Sequence, residues 1–178
     1  MSAIVEFDTI TRLFLELCNR FRGTDRTALR YKSKESKQWE EILWDEFEEL
    51  VRQMAGYLHR QDVRKGDRVA ILAENRPEWA ITDLATQLLG GVNVSLYTSL
   101  PADQVEYIVK DSGSKLLVVS TNLQQKKAEQ IFDRCPDLKE IITMSELEDA
   151  ARPYVAPWNK SLRLGRKHWS EHESEIAA

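Results

Sequence analysis

Four short apolar runs, separated by stretches of helix length, constrain this chain more than any other feature of its sequence. They are "VAILA" at 69–73, "VNVSLY" at 92–97, "KLLVVS" at 115–120 and "KEIITM" at 139–144. Each has the length of a strand, and a continuous apolar run such as "VAILA" marks a strand covered on both faces, as in parallel sheets. Between them lie Pro77 to Leu89, Pro101 to Asp111 and Leu123 to Arg134, each long enough for a helix. Strands alternating with helices imply right-handed βαβ crossovers. The expected class is α/β, a mostly parallel sheet flanked by helices.

The first 61 residues follow a different rhythm. From Phe7 to Phe21, Ile10, Leu13, Phe14, Leu17, Cys18 and Phe21 recur at helical spacing, with Asp8 placed to cap the start. "TALRYK" and "KQWEEIL", rich in β-formers and separated by the polar "SKES", predict a small antiparallel hairpin. Trp44 to Gln61 then puts Phe47, Leu50, Val51, Met54 and Leu58 on one face of a surface helix.

Glycine and proline punctuate the pattern. Gly66 makes the turn into "VAILA", Gly90-Gly91 fits a helix C-cap with close helix–sheet packing, and Gly113 suits a left-handed helix end. Pro77 and Pro101 are expected within first helical turns, where a missing N–H costs nothing, followed by acidic Glu78 and Asp103. After Met144 the alternation stops. The reading there is a short helix, a loop, and a last helix around Trp158, Leu162, Gly165 and Trp169 whose packing partner is expected to lie outside this sequence. Residues 1–144 therefore form one unit and 145–178 a helical and loop segment leading onward.

Several functions are disfavoured by composition. A net charge of −4 with interspersed signs gives no basic footprint for nucleic acid. No apolar run approaches the roughly 20 residues of a membrane span, and the acidic start "MSAIVEFD" lacks the basic region of a signal peptide. A cytoplasmic location is expected, with room for peripheral membrane association. Cys18 and Cys135 are far apart and read as reduced structural thiols. His168 and His172, at i and i+4, have metal-ligand spacing, but on so polar a terminal segment they are expected to be solvated. No metal site is assigned.

No glycine-rich phosphate loop is present, since neither G-x-G-x-x-G nor G-x-x-x-x-G-K-[ST] occurs among the seven glycines. Candidate ligand-contacting residues come instead from position. Asn75, Arg76 and Glu78 follow the end of "VAILA", and Tyr97, Thr98 and Ser99 follow "VNVSLY", the carboxyl edge where open parallel sheets bind ligands. An ordinary helix start is the favoured account of the first group, and a turn into a capped helix is an equally good account of the second. Trp39, Trp44 and Trp79 are expected as core or half-buried anchors.

The combination "GDRVAILAENRPEW" with "GGVNVSLY" and "QVEYIVKDSGSK", preceded by "ALRYK" and "WEEILWDEF", resembles the N-terminal part of long-chain fatty-acid–CoA ligases of the adenylate-forming, AMP-binding superfamily. The resemblance runs from about Phe7 to Met144 without large gaps. It implies a partial N-terminal domain of the adenylate-forming fold. It also implies an activity for the whole protein: fatty acid, ATP and CoA giving acyl-CoA, AMP and pyrophosphate, with ATP, Mg2+ and CoA as cofactors and a fatty acid as substrate.

Two positions depart from the family pattern: Leu43, where relatives carry a capping Ser or Thr, and Ser95, where they usually carry Pro. The lost cap costs about 1 kcal/mol unless Asp45 takes over. The family's phosphate-gripping loop, adenine-contacting segment, ribose-binding Asp and catalytic Lys have no counterpart in these residues. The chain alone is therefore expected to be inactive, with no catalytic residue and no tightly bound cofactor. The competing readings are a non-catalytic binding module that docks or self-associates through surface left exposed, and an independent small nucleotide-binding α/β domain.

Overall fold

A computed structural model describes residues 7–33, 36–144 and 152–176. Five strands form one parallel sheet: β3 (Arg68–Leu72), β4 (Val92–Leu96), β5 (Leu116–Val119), β6 (Glu140–Thr143) and β7 (Val155–Pro157), in the spatial order β4-β3-β5-β6-β7. The chain enters at β3, steps one way to β4, crosses back over β3 to β5, and then adds strands at that edge. A separate two-stranded antiparallel ribbon comprises β1 (Thr27–Lys32) and β2 (Trp39–Leu43).

The period-two alternation of strands divides the core into two layers. Val69, Leu116, Val118, Ile142 and Ala156 face one cluster, shared with α1 (Ile10–Phe21), α2 (Trp44–Arg60), α3 (Pro77–Leu88) and α6 (Trp158–Ile176). Ala70, Leu72, Leu117, Val119, Ile141 and Val155 face the other, with α4 (Ala102–Ser112) and α5 (Asn122–Ile131). All four β5 residues are fully buried. At about 1.5–3 kcal/mol for each large apolar side chain taken from water, this strand is the energetic centre of the sheet.

Helix ends follow local chemistry, with some differences from expectation. α1 begins at Ile10, and its N-cap is Thr9, which accepts from Arg12 N at 3.1 Å; Asp8 instead pairs with the Arg12 side chain at 2.9 Å. Leu43 precedes α2 with no side-chain cap, and Asp45 does not replace it, because its carboxylate accepts from Gly23 N at 2.9 Å. Pro77 opens α3 as expected, whereas Pro101 is the N-cap of α4 and stands outside its first turn. Gly113 ends α4 at φ 60°, ψ 40°, the left-handed cap its sequence position implied. Gly90 has φ 68° after α3, and Gly91 packs close to Thr86 and the Asp67 carbonyl.

The C-terminal segment differs most from its sequence reading. The short helix expected just after Met144 falls outside the described residues. Beyond it, 155–157 form β7, a strand too short to stand out by periodicity, which pairs in parallel with β6. α6 has its packing partner within the chain: it lies on α2, crossing where Gly165 meets Gly56. A Cβ at Gly165 would overlap the Gln53 carbonyl oxygen and stand 2.7 Å from Tyr57 N, so only glycine permits this approach. Trp158, Leu162 and Gly165 are buried. The exposed apolar face expected of this segment is therefore covered by α2. Trp39, expected as an anchor, is 61% exposed on the hairpin, where the Arg30 guanidinium lies 5.5 Å from its ring centroid.

Candidate functional site at the carboxyl edge of the sheet

The loops leaving β3 and β5 diverge to opposite faces, so the carboxyl edge between these neighbouring strands is the topological switch point. Arg76 spans it. As the extended N-cap of α3, at φ −160° and ψ 160°, it turns its guanidinium back along the edge. Nε and Nη2 donate to the two Glu78 oxygens at 2.8 and 2.7 Å, and Nη1 donates to the Ser120 carbonyl beyond β5 at 3.1 Å. Both side chains are about three-quarters buried. The hydrogen-bonded Glu78 carboxylate pushes the Arg76 pKa up, securing its charge. This bidentate fork makes Arg76 a latch between two loops and leaves it poorly disposed to serve as an open anion receptor.

The latch forms one wall of a cavity of about 570 Å³ between the main sheet and the hairpin, lined by β1 and its neighbour at 29–33, Glu40, and Asn75 through Glu78. The opposite wall is also braced. Tyr31 Oη donates to Glu40 Oε2 at 2.8 Å and Ser36 Oγ to Glu40 Oε1 at 2.7 Å. The Ser36 and Tyr31 hydroxyls hold the Glu40 carboxyl below its usual range, and the reciprocal bond pushes the Tyr31 phenol up to about 12. A second cavity of about 470 Å³ adjoins the first, sharing Tyr31, Glu40, Pro77 and Glu78 and adding Ile42, Ile81 and Trp158. Together they form one groove that runs from Arg76 and Glu78 toward Trp158, with the Glu40, Glu41, Glu46 and Glu78 side chains along it.

Of the six residues expected at the edge, Asn75, Arg76 and Glu78 line this groove; Tyr97, Thr98 and Ser99 stand apart, after β4. Tyr97 is 81% exposed. The Thr98 carbonyl accepts from Gln124 Nε2 at 3.2 Å and Lys127 Nζ at 2.8 Å, pinning the β4–α4 loop to α5. Tyr31, Glu40 and Trp158 lacked any sequence signal as groove residues, because only the docking of the hairpin and of α6 brings them to the β3–α3 loop.

The histidines also depart from expectation. His168 and His172 are partly buried, and His168 meets the buried His59 of α2 with its Nε2 3.0 Å from His59 Nδ1. Among the described residues no three His, Cys, Asp or Glu side chains converge to hold a metal. The groove's cations are Arg76, held by Glu78, Arg30, which pairs with Glu41 at 3.4 Å, and Lys32, and its lining has no glycine-rich backbone to cradle a magnesium nucleotide. Cys18 and Cys135 are buried and free, and burial pushes the Cys18 thiol up to about 12, as an inert structural thiol requires. No helix of the described residues is long and apolar enough to cross a membrane.

A doubly wound parallel sheet with a groove at its switch point defines the chain as an α/β protein. The comparisons narrow this: the family model described as AMP-binding enzyme matches residues 17–175, and the chain belongs to that family. It is 30% identical over 158 residues to the long-chain-fatty-acid–CoA ligase ACSBG2 of Xenopus laevis, covering 89% of this chain and 21% of that protein. It is 28% identical over 159 residues to the human ligase ACSBG1, with the same coverages. The chain thus spans about a fifth of the length of these relatives. Among solved structures, the anthranilate CoA ligase AuaEII in complex with anthranoyl-AMP superposes with a TM-score of 0.70 at 20% identity, over 84% of this chain and 27% of that one. An acyl-CoA synthetase of Brucella canis gives the same values. At that identity the likeness is one of fold.

Proposed function

We propose that these residues are the front part of an ATP-dependent long-chain fatty-acid–CoA ligase, supplying a parallel sheet layer and one wall of its substrate cleft. The family match across 17–175, with relatives named as long-chain-fatty-acid–CoA ligases, carries this reading. The whole enzyme joins a fatty acid to CoA with ATP and Mg2+, releasing AMP and pyrophosphate, in the cytoplasm. Transition-state stabilisation in such chemistry needs positioned donors and a metal-held phosphate. Those belong to segments beyond the present residues, toward which 145–178 leads from the 1–144 unit.

In this reading Asn75 and Arg76 shape the cleft wall, Arg76 by locking the β3–α3 loop to the end of β5, while Tyr97 and Thr98 order the neighbouring loop. The test is fatty-acid-dependent ATP–pyrophosphate exchange across short to long chains. The full-length ligase is expected to exchange and the 178-residue chain to give none. No exchange by the full-length protein with any acid would overturn the ligase reading, and exchange by the short chain would overturn the assignment of the chemistry elsewhere. The competing reading, a docking module, drew its motive from apolar surface on the terminal segment, and α2 covers that surface.

A further inference from the structure

At the end of the α2–α6 seam remote from Trp158, the chain's three histidines meet. His59 Nδ1 and His168 Nε2 are 3.0 Å apart, a distance at which one nitrogen must donate and the other present a lone pair. The rings of His168 and His172 stack at 4.1 Å and 19°. His172 Nδ1 donates to the His168 carbonyl at 3.0 Å, at the point where α6 kinks through a non-helical residue with φ −131° and ψ 18°. The His59 side chain is only 7% exposed. After Gly165, Ile176 is the one fully buried residue of α6 among those described; the part-buried Trp169, with the Arg52 guanidinium 5.6 Å from its ring centroid, and the Arg52–Glu173 pair at 3.2 Å are the other ties of this end to α2.

The arrangement tolerates one added proton and opposes a second. A singly protonated pair still has one donor and one acceptor, and Glu175 Oε1, 3.6 Å from His59 Nε2, can face the charge. A second proton puts two N–H groups against each other with no acceptor between them, beside the stacked His172. The charged groups around the pair are mixed: Arg60 on α2, Arg64 and Asp62 just beyond it, and Glu171 and Glu175 on α6. Arg64 also donates to the His59 carbonyl at 2.7 Å, which fixes a cation on this side.

We propose that the trio is a pH-sensitive clasp that holds the end of α6 on α2 near neutral pH and releases it when a second proton enters the His59–His168 pair. Burial pushes both imidazoles below their usual value. With the folded values depressed, the clasp's contribution is complete above the ordinary histidine value of about 6.5 and is lost as pH falls through the folded ones. Release is local, because the Gly56–Gly165 crossing and Leu162 hold the first half of α6 independently.

Amide hydrogen exchange on the 178-residue chain at pH 7.5 and 5.0, corrected for intrinsic rates, tests the clasp. Protection across 166–176 should fall at least tenfold relative to β3 and β5, and in His168→Gln this pH-dependent loss should disappear. Protection that tracks the rest of the chain, or the same loss in His168→Gln, would overturn it. Should that variant not fold, ring-proton NMR titration of the unaltered chain decides. His59 and His168 titrating in step with the loss of protection supports the clasp, and loss of protection before either ring titrates refutes it.

Discussion

Replacing Gly165 with alanine puts a single methyl into the tightest helix crossing of the molecule. The added carbon would overlap the Gln53 carbonyl oxygen, stand 2.7 Å from Tyr57 N and approach Gln53 C at 3.0 Å. These are backbone atoms of α2, and no rotamer change moves them aside. α6 must therefore be displaced, loosening the contacts of Leu162 and Trp169 at the seam. Overpacking of this kind costs roughly 3 kcal/mol, offset by about 1 kcal/mol from alanine's better helix propensity. The net loss is about 2 kcal/mol, and at about 2–4 °C per kcal/mol for a chain of this size Tm falls by roughly 4–8 °C. Thermal and urea unfolding followed by circular dichroism measure it, with the exposed Ser174→Ala as a control expected within about 0.5 kcal/mol of the parent. Gly56→Ala, whose methyl would overlap the Gly165 carbonyl, should act similarly. The double variant should cost less than the sum, since one displacement relieves both clashes. A neutral or stabilised Gly165→Ala would refute the close crossing.

Glu140→Gln addresses a carboxyl whose pKa is raised by burial, although Tyr57 and Gln61 both donate to it at 2.9 Å. Since the folded value lies above the unfolded one, the carboxyl favours folding most at low pH and loses that advantage as pH rises through the folded value. The variant should be more stable than the parent by roughly 1 kcal/mol at pH 7.5, with the difference shrinking toward pH 4 in thermal scans; a difference that grows on acidification would contradict the burial argument. Leu43→Ser restores the missing α2 cap at an exposed position of extended backbone and should add about 0.5–1 kcal/mol in urea melts. Arg76→Lys keeps the charge but loses the fork onto Glu78 and the bond to Ser120, costing about 1–2 kcal/mol by the same measurement.

Much of the fold was legible because burial on both faces writes itself directly into residues such as Val69 to Leu72 and Leu116 to Val119. The order of elements from α1 to β6 follows from those runs and the periodic stretches between them. What escaped was decided by tertiary contact. β7 has three residues and no alternation to read, and α6 looked unpartnered because its partner lies more than a hundred residues earlier. The histidines looked solvated for the same reason, as His59 is remote from His168 in sequence. Half of these groove residues are visible in the sequence: Asn75, Arg76 and Glu78 are marked by their place after a strand, whereas Tyr31, Glu40 and Trp158 join them only through docking of the hairpin and the last helix. Tyr97 and Thr98 shared the positional argument but not the groove, since the β4–α4 loop turns to the opposite layer.

The pairing of α2 with α6 also bears on how the chain emerges from the ribosome. Arg52 and Glu173, which bridge the two helices at 3.2 Å, are separated by 121 residues. At about 5–20 residues per second, synthesis needs on the order of ten seconds to deliver α6 after α2 has appeared. Through that interval the glycine-bearing groove of α2 has no cover from this chain, even as β3, β4 and β5 assemble. Such a delay leaves this face of α2 waiting on the nascent chain until the 19 residues of α6 have been made, although the sheet beside it can already form.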